Sequence, residues 1–189
     1  MTGLMGIEIR QMSTVKRWSI MPTLRVQNVA EHSYYVVVYC THFIEALEIT
    51  DPELRHAIVN YALFHDIEEI FTGDVPSTAK KYVDIEGINR DLVSMLGLPR
   101  HRISPVKLTL VKNIIKAADL ADALIFCYEE LRMGNTIVEK VIGQLEPKML
   151  TAIQKLPWPN SIGQFDDYVI ATGFLNRLKE DYLKGPSET

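Results

Sequence analysis

The chain reads as an all-α protein, and three observations lead there. Apolar residues recur every three or four positions through long stretches. Alternating apolar and polar runs bounded by turn residues, the mark of strands, are absent. Punctuation comes from isolated Pro and Gly, without repeats, low-complexity runs or a Gly/Ser linker. About six main helices account for the pattern, and 189 residues fit one domain spanning 1–189, since single domains run to roughly 100–200 residues.

After an irregular entry around Pro22, the series Val29, His32, Ser33, Val36, Cys40, Phe43, Leu47 keeps helical spacing and predicts a helix from about 29 to 48. Asp51-Pro52-Glu53 supplies an N-cap, a first-turn proline and a first-turn acid, opening a helix through Leu54, Ile58, Tyr61 and His65 to about Phe71, where Gly73 breaks it. A third helix is expected from Pro76 to Leu96, weakened in its middle by Asp84 and Gly87. Ser104-Pro105 starts the longest, with Leu108, Val111, Ile115, Asp119, Asp122 and Phe126 on one stripe and its end at Gly134. Two more are expected near 136–155 and 163–184.

Composition narrows the function. The 47% hydrophobic and 23% charged fractions belong to a globular chain, and the net charge of −4 argues against a basic surface for duplex nucleic acid. No window approaches the ~18 apolar residues of a membrane span, and Glu8 and Arg10 interrupt the N-terminal stretch before a signal-like core develops, so a cytoplasmic protein is expected. Cys40 and Cys127 sit in apolar helical surroundings without a CxxC spacing and read as small buried thiols.

The anomaly is which residues occupy the buried faces. His32 shares its stripe with Val29, Val36 and Cys40; His65 lies seven residues after Ile58 with Asp66 adjacent and Glu69 a turn later; Asp119 lies four after Ile115 and eight after Val111, with Asp122 at i+3. A buried carboxylate costs several kcal/mol unless it is paired or coordinates a cation. Singly these signals are weak: a His-Asp dipeptide arises by chance in about one such sequence in four, His32 alone fits a core histidine bonded to a backbone carbonyl, and Asp119 alone fits an interhelical salt bridge. Jointly, two His and two Asp on three core-facing stripes suit one divalent ion such as Zn, Mn, Fe or Co.

The order His32, then His65-Asp66 with Glu69, then Lys116-Ala117-Ala118-Asp119 resembles the HD-domain phosphohydrolases, whose H…HD…D ligands hold a metal in an all-α bundle. Arg17-Trp18, Asn28-Val29-Ala30-Glu31-His32-Ser33, His65-Asp66-Ile67-Glu68-Glu69 and Thr72-Gly73-Asp74-Val75-Pro76-Ser77 extend the likeness to the bacterial 5′-deoxynucleotidases and the related phage dATP triphosphohydrolases, over residues 16 to 133. The resemblance implies an HD-domain bundle with metal ligands His32, His65, Asp66 and Asp119, and catalytic roles for Glu69, Asp74 and Arg17. It also implies contacts to a small deoxynucleotide from Arg17, Trp18, Asp66, Asp74, Val75, Pro76, Ser77, Lys80 and Asp119. Relatives are dimers or larger rings, which implies a homo-oligomer. Two departures stand out: Thr78-Ala79-Lys80 follows Ser77 where a second proline is expected before the lysine, and the 52 residues between Asp66 and Asp119 are few for the bacterial enzymes.

Elementary chemistry agrees with those roles. A divalent ion acidifies water and polarises a phosphoryl oxygen; Glu69, one helical turn past His65, could relay a proton, or instead pair with Lys80 or Lys81. Arg17 offers a fork matched to phosphate oxygens. Trp18 can pack on a sugar and leave no room for a 2′-hydroxyl, or simply fill core. Asp74 can protonate a leaving oxygen or cap a helix before Pro76. Ser77 and Thr78, at the expected start of the next helix, form an anion site that Lys80 reinforces. Asp122 fits an acceptor that orients a ligand histidine. Apolar Trp158, Phe165 and Phe174 suit a subunit interface or core packing. Three activities result: hydrolysis of a deoxynucleoside 5′-monophosphate, removal of triphosphate from a dNTP such as dATP, and non-catalytic nucleotide binding.

Overall fold

Asn28 sets where the first long helix begins, because its side chain accepts from the Glu31 amide and satisfies one of the orphan donors of the first turn. The computed structural model describes residues 7–76, 78–95, 103–159 and 167–183. A one-turn helix α1 (Ile7–Arg10) and a 3-10 turn lead to an extended crossing, where the Arg17 amide donates to the Gln27 carbonyl and the Val29 amide to that of Val15. The long elements are α2 (Val29–Ala46), α3 (Pro52–Leu63), α5 (Ile85–Met95), α6 (Pro105–Arg132), α7 (Glu139–Gln154) and α8 (Asp167–Leu183), with a single turn α4 (Glu69–Thr72) after α3. No strand occurs among the described residues, so the all-α expectation of about six main helices holds.

Helix α6 is the centre of the bundle, packing against α2, α3, α7 and α8. Its buried run from Leu120 to Tyr128 explains the reach: a helix apolar nearly all round must be enclosed by neighbours. Val36, Cys40 and Phe43 of α2, Ile58 of α3, Ile114 and Leu124 of α6 and Met149 and Ile153 of α7 form one core. Cys40 and Cys127 are buried free thiols. Trp158 and Phe174 turn onto Phe43, with ring centroids 6.5 and 5.6 Å away, so core packing accounts for them; Phe165 lies outside the described residues. No helix among those described is long and apolar enough to cross a membrane.

Two element boundaries differ from the sequence expectation. The helix expected to run from 51 to 71 stops at Leu63, and residues 64–68 tighten into turns in which Ile67 N–H reaches Phe64 O and Glu69 N–H reaches Asp66 O. The helix expected from Pro76 to Leu96 is replaced by turns, a 3-10 segment Lys80–Tyr82 and then α5. Asp84 interrupts it because its carboxylate accepts from the Gly87 amide, which makes it a cap instead of an interior residue.

Candidate metal centre

Adjacent residues on an α-helix point about 100° apart, so His65 and Asp66 cannot address one point from regular helix. The tightened turn after α3 removes that obstacle and brings His65 Nε2 to 3.3 Å from Asp66 Oδ2. From α2, His32 Nε2 meets His65 Nε2 at 3.1 Å and Asp66 Oδ2 at 3.6 Å. From α6, Asp119 Oδ1 approaches His32 Nε2 to 3.5 Å. His32, His65 and Asp66 offer donor atoms all within 4.8 Å of one another, and Asp119 joins them through its approach to His32.

Each imidazole is held by its far nitrogen. His32 Nδ1 faces Asp122 Oδ2 at 2.6 Å, and His65 Nδ1 faces the Ala62 carbonyl at 2.7 Å. An acceptor at each Nδ1 places the proton there, which leaves both Nε2 lone pairs aimed at the same space. Burial, followed by the nearby Arg17 charge, holds the His32 imidazole below its ordinary range despite Asp122, so it is neutral at neutral pH. Burial opposes ionisation of Asp119, but the positive charge of Lys116, bonded at 2.7 Å, overcomes it and holds the carboxyl well below its usual range. Asp66 is likewise held below its usual range, its burial opposed by the charge of Lys80. Two imidazole lone pairs and two carboxylates thus converge with no donor between the nitrogens, a set that fits a divalent cation.

Glu69 begins α4 beside this set and is only 2% exposed. Burial and the Asp66 charge push its carboxyl up to about 8 against the pull of Lys80 and Arg17. Lys80 Nζ stands 3.5 Å from both Glu69 Oε1 and Asp66 Oδ1, while Glu69 Oε2 is buried without a hydrogen-bond partner. Arg17 comes within 3.5 Å of Asp66 through Nη1, and its Nε is also buried and unpartnered. Gly73, at φ 69° and ψ 177°, occupies backbone space open essentially to glycine alone and turns the chain out of α4. That turn brings the Asp74 carboxylate to the Ser19 amide at 3.3 Å, so Asp74 caps no helix here. Val75 and Pro76 follow, half-buried; Ser77 lies outside the described residues, and Thr78 is an exposed turn residue instead of a helix start.

Trp18 adopts a left-handed backbone with φ 63°, rare for a bulky residue, and stacks on Phe126 with ring centroids 5.1 Å apart and planes 10° from parallel. Its indole N–H donates to Gln27 Oε1 at 3.0 Å, and Gln27 Nε2 donates to Asp122 Oδ2 at 2.8 Å. Sequence reasoning missed Gln27. It missed equally the buried Glu130, whose carboxylate accepts from the Leu24 and Arg25 amides and from Asn135 Nδ2, and Arg25, which bridges Glu31 and Glu129 and lies 4.9 Å over the Phe126 ring. These groups pin the segment that carries Arg17 and Trp18 onto α6.

Residues 7–93 match the family described as 5′-deoxynucleotidase YfbR-like. A 5′-deoxynucleotidase of Shewanella oneidensis is 32% identical over 145 residues, covering 68% of this chain and 74% of the relative. One from Yersinia pestis is 28% identical over 170 residues, covering 79% and 83%. Among solved structures, the cyanophage S-2L HD phosphohydrolase (DatZ) bound to dA and one catalytic Zn2+ ion superposes with a TM-score of 0.61 at 22% identity, covering 92% of this chain and 95% of the other. An HD-domain phosphohydrolase from Listeria innocua gives 0.56 at 20% identity, covering 95% and 87%.

Proposed function

Since the chain belongs to the YfbR-like 5′-deoxynucleotidase family, we propose that it hydrolyses 2′-deoxynucleoside 5′-monophosphates to the deoxynucleoside and orthophosphate, using one divalent metal ion. The observation that carries this is the pair of Nε2 atoms 3.1 Å apart, each fixed as an acceptor by the bond at its Nδ1, with Asp66 and Asp119 beside them. His32, His65, Asp66 and Asp119 would hold the ion. When bound, such an ion supplies Lewis acidity toward a phosphoryl oxygen and makes water more acidic.

The chain's own residues divide the remaining work. Arg17 presents its fork beside Asp66 with the Nε proton unspent, a donor matched to a phosphate oxygen. Lys80 adds a second positive charge on the same side. Glu69, with one buried oxygen unpartnered and its carboxyl poised near neutrality, accepts the proton of the attacking water as its oxygen bonds to phosphorus. The P–O5′ bond breaks, and the departing oxygen is protonated, a task within reach of Asp74 or of Glu69 returning its proton. Trp18, fixed over Phe126, packs on the deoxyribose and leaves a 2′-hydroxyl without space or partner. Val75, Pro76 and Ser77 complete the nucleotide side, and a single domain over 1–189 in a homo-oligomer is the proposed unit.

Purified chain loaded with Mn2+, Co2+ or Zn2+ and offered each dNMP, NMP and dNTP tests the proposal. Orthophosphate from dNMPs, with ribonucleotides poorly used, is the expected result. Tripolyphosphate from a dNTP as the sole product would replace it with triphosphohydrolysis, and no product with any metal would remove the catalytic function.

A further inference from the structure

Three hydrogen bonds in series run from the indole of Trp18 to the imidazole of His32. The Trp18 Nε1 proton is donated to Gln27 Oε1 at 3.0 Å, the Gln27 Nε2 proton to Asp122 Oδ2 at 2.8 Å, and the His32 Nδ1 proton to the same Asp122 oxygen at 2.6 Å. Gln27, Asp122 and His32 are all at most 3% exposed, so water offers none of them a substitute partner. An indole N–H only donates, and an ionised carboxylate only accepts. These two neighbours therefore permit a single orientation of the Gln27 amide, with its oxygen toward 18 and its nitrogen toward 122. The Gln27 carbonyl adds a further restraint by accepting the Arg17 amide at 2.9 Å.

Resting on the metal centre proposed above, we infer that Gln27 is a positioning residue that couples the nucleotide-facing indole of Trp18 to the metal-facing imidazole of His32. With the amide in place, Asp122 keeps the oxygen that fixes the His32 tautomer where both donors reach it, and Trp18 keeps its unusual backbone and its stack on Phe126. Disturbing either end is felt at the other. The consequence distinguishes this from simple core filling: a substitution of Trp18, two residues removed from His32 along this chain of bonds, changes the affinity for metal in the absence of any nucleotide. Gln27 thereby links substrate selection and metal loading through one amide group.

The test is Mn2+ binding by calorimetry without nucleotide, together with acrylamide quenching of Trp18 emission, all in a Trp158→Phe background that leaves Trp18 as the sole fluorophore of its kind. Gln27→Leu should weaken Mn2+ binding by up to about tenfold, the lower end of the scale for losing a direct partner of a ligand histidine, because Gln27 acts one bond further out through Asp122, and should make Trp18 more accessible to quencher. Trp18→Phe should weaken Mn2+ binding by less, and the double variant should bind no more weakly than Gln27→Leu alone, because both cut one chain. Gln27→Met keeps the length of the side chain but offers the indole no carbonyl and Asp122 no N–H, so Mn2+ affinity should fall and quenching should rise as for Gln27→Leu; this variant serves equally if Gln27→Leu does not fold. Unchanged Mn2+ affinity in Gln27→Met or Trp18→Phe, or additive losses in the double variant, would overturn the coupling. A parent that binds no Mn2+ would overturn the metal centre itself and the coupling with it, an outcome visible before any variant is compared.

Discussion

Replacing Glu69 by Gln separates catalysis from stability at one position, because the side chain keeps its volume and loses its ionisation. In the metal-free protein the carboxyl is pushed up to about 8 by burial and by Asp66. Displacement from its ordinary 4.5 to about 8 corresponds, at 1.36 kcal/mol per pH unit, to an upper bound on the order of 5 kcal/mol against the ionised form. The sign is fixed by linkage: between about pH 4.5 and 8 the folded chain retains a proton that the unfolded chain releases, so stability falls as pH rises through that window. Glu69→Gln abolishes this slope. At pH 8 with chelator present it should be more stable than the parent by about 1–2 kcal/mol, the ceiling being reduced by the lost attraction to Lys80 at 3.5 Å. With metal restored, turnover of a dNMP should fall about 10²–10⁴-fold, the usual contribution of a positioned proton-transfer group. Urea unfolding at pH 5 and 8, followed by phosphate release, measures both effects. Turnover within tenfold of the parent, or a variant less stable than the parent at pH 8, would refute the assignment of Glu69 as a desolvated catalytic base.

Glu130→Ala should destabilise the chain by about 2–4 kcal/mol in urea, because the Leu24 and Arg25 amides and Asn135 Nδ2 lose a buried acceptor. Burial opposes ionisation of Glu130, yet the bonds from Asn135 and the two amides hold its carboxyl below the usual range; its stabilising contribution is therefore present above the ordinary carboxylate pKa and is lost on acidification, and the variant should show a shallower acid limb. Phe126→Leu removes the ring under Trp18 and should raise KM for deoxynucleotides more than it lowers kcat, with weaker rejection of ribonucleotides in a competition assay. Equal losses in kcat and KM-independent selectivity would place Trp18 away from the sugar.

The bundle was legible because its helices carry apolar stripes of helical period and two of them start at recognisable signals: Asp51 and Ser104 both accept first-turn amides. The convergence of these side chains was legible for the same reason, since His32 interrupts a buried stripe of α2 and Asp119 and Asp122 lie on α6. Helical periodicity misled at two places, and one of them is the His65-Asp66 turn. His65 and Asp66 are neighbours that must face one point, so the chain leaves regular helix at Leu63, and the spacing of Ile58, Tyr61 and His65 holds no trace of that turn. Asp84 and Gly87 marked the weak point of the following helix, and it is there that the Asp84 carboxylate stops it. Gln27 and Glu130 were not legible because their partners lie 95 and 105 residues away in the chain, and nothing local distinguishes a polar residue with a distant buried partner from one in water.

A crystal structure of the chain grown with Mn2+, with anomalous data at the manganese edge, addresses the metal centre most directly. One anomalous peak bonded to His32 Nε2, His65 Nε2, Asp66 and Asp119 at about 2.0–2.3 Å is the predicted result. Manganese bound elsewhere, or a peak that leaves out His32 or Asp119, would contradict it.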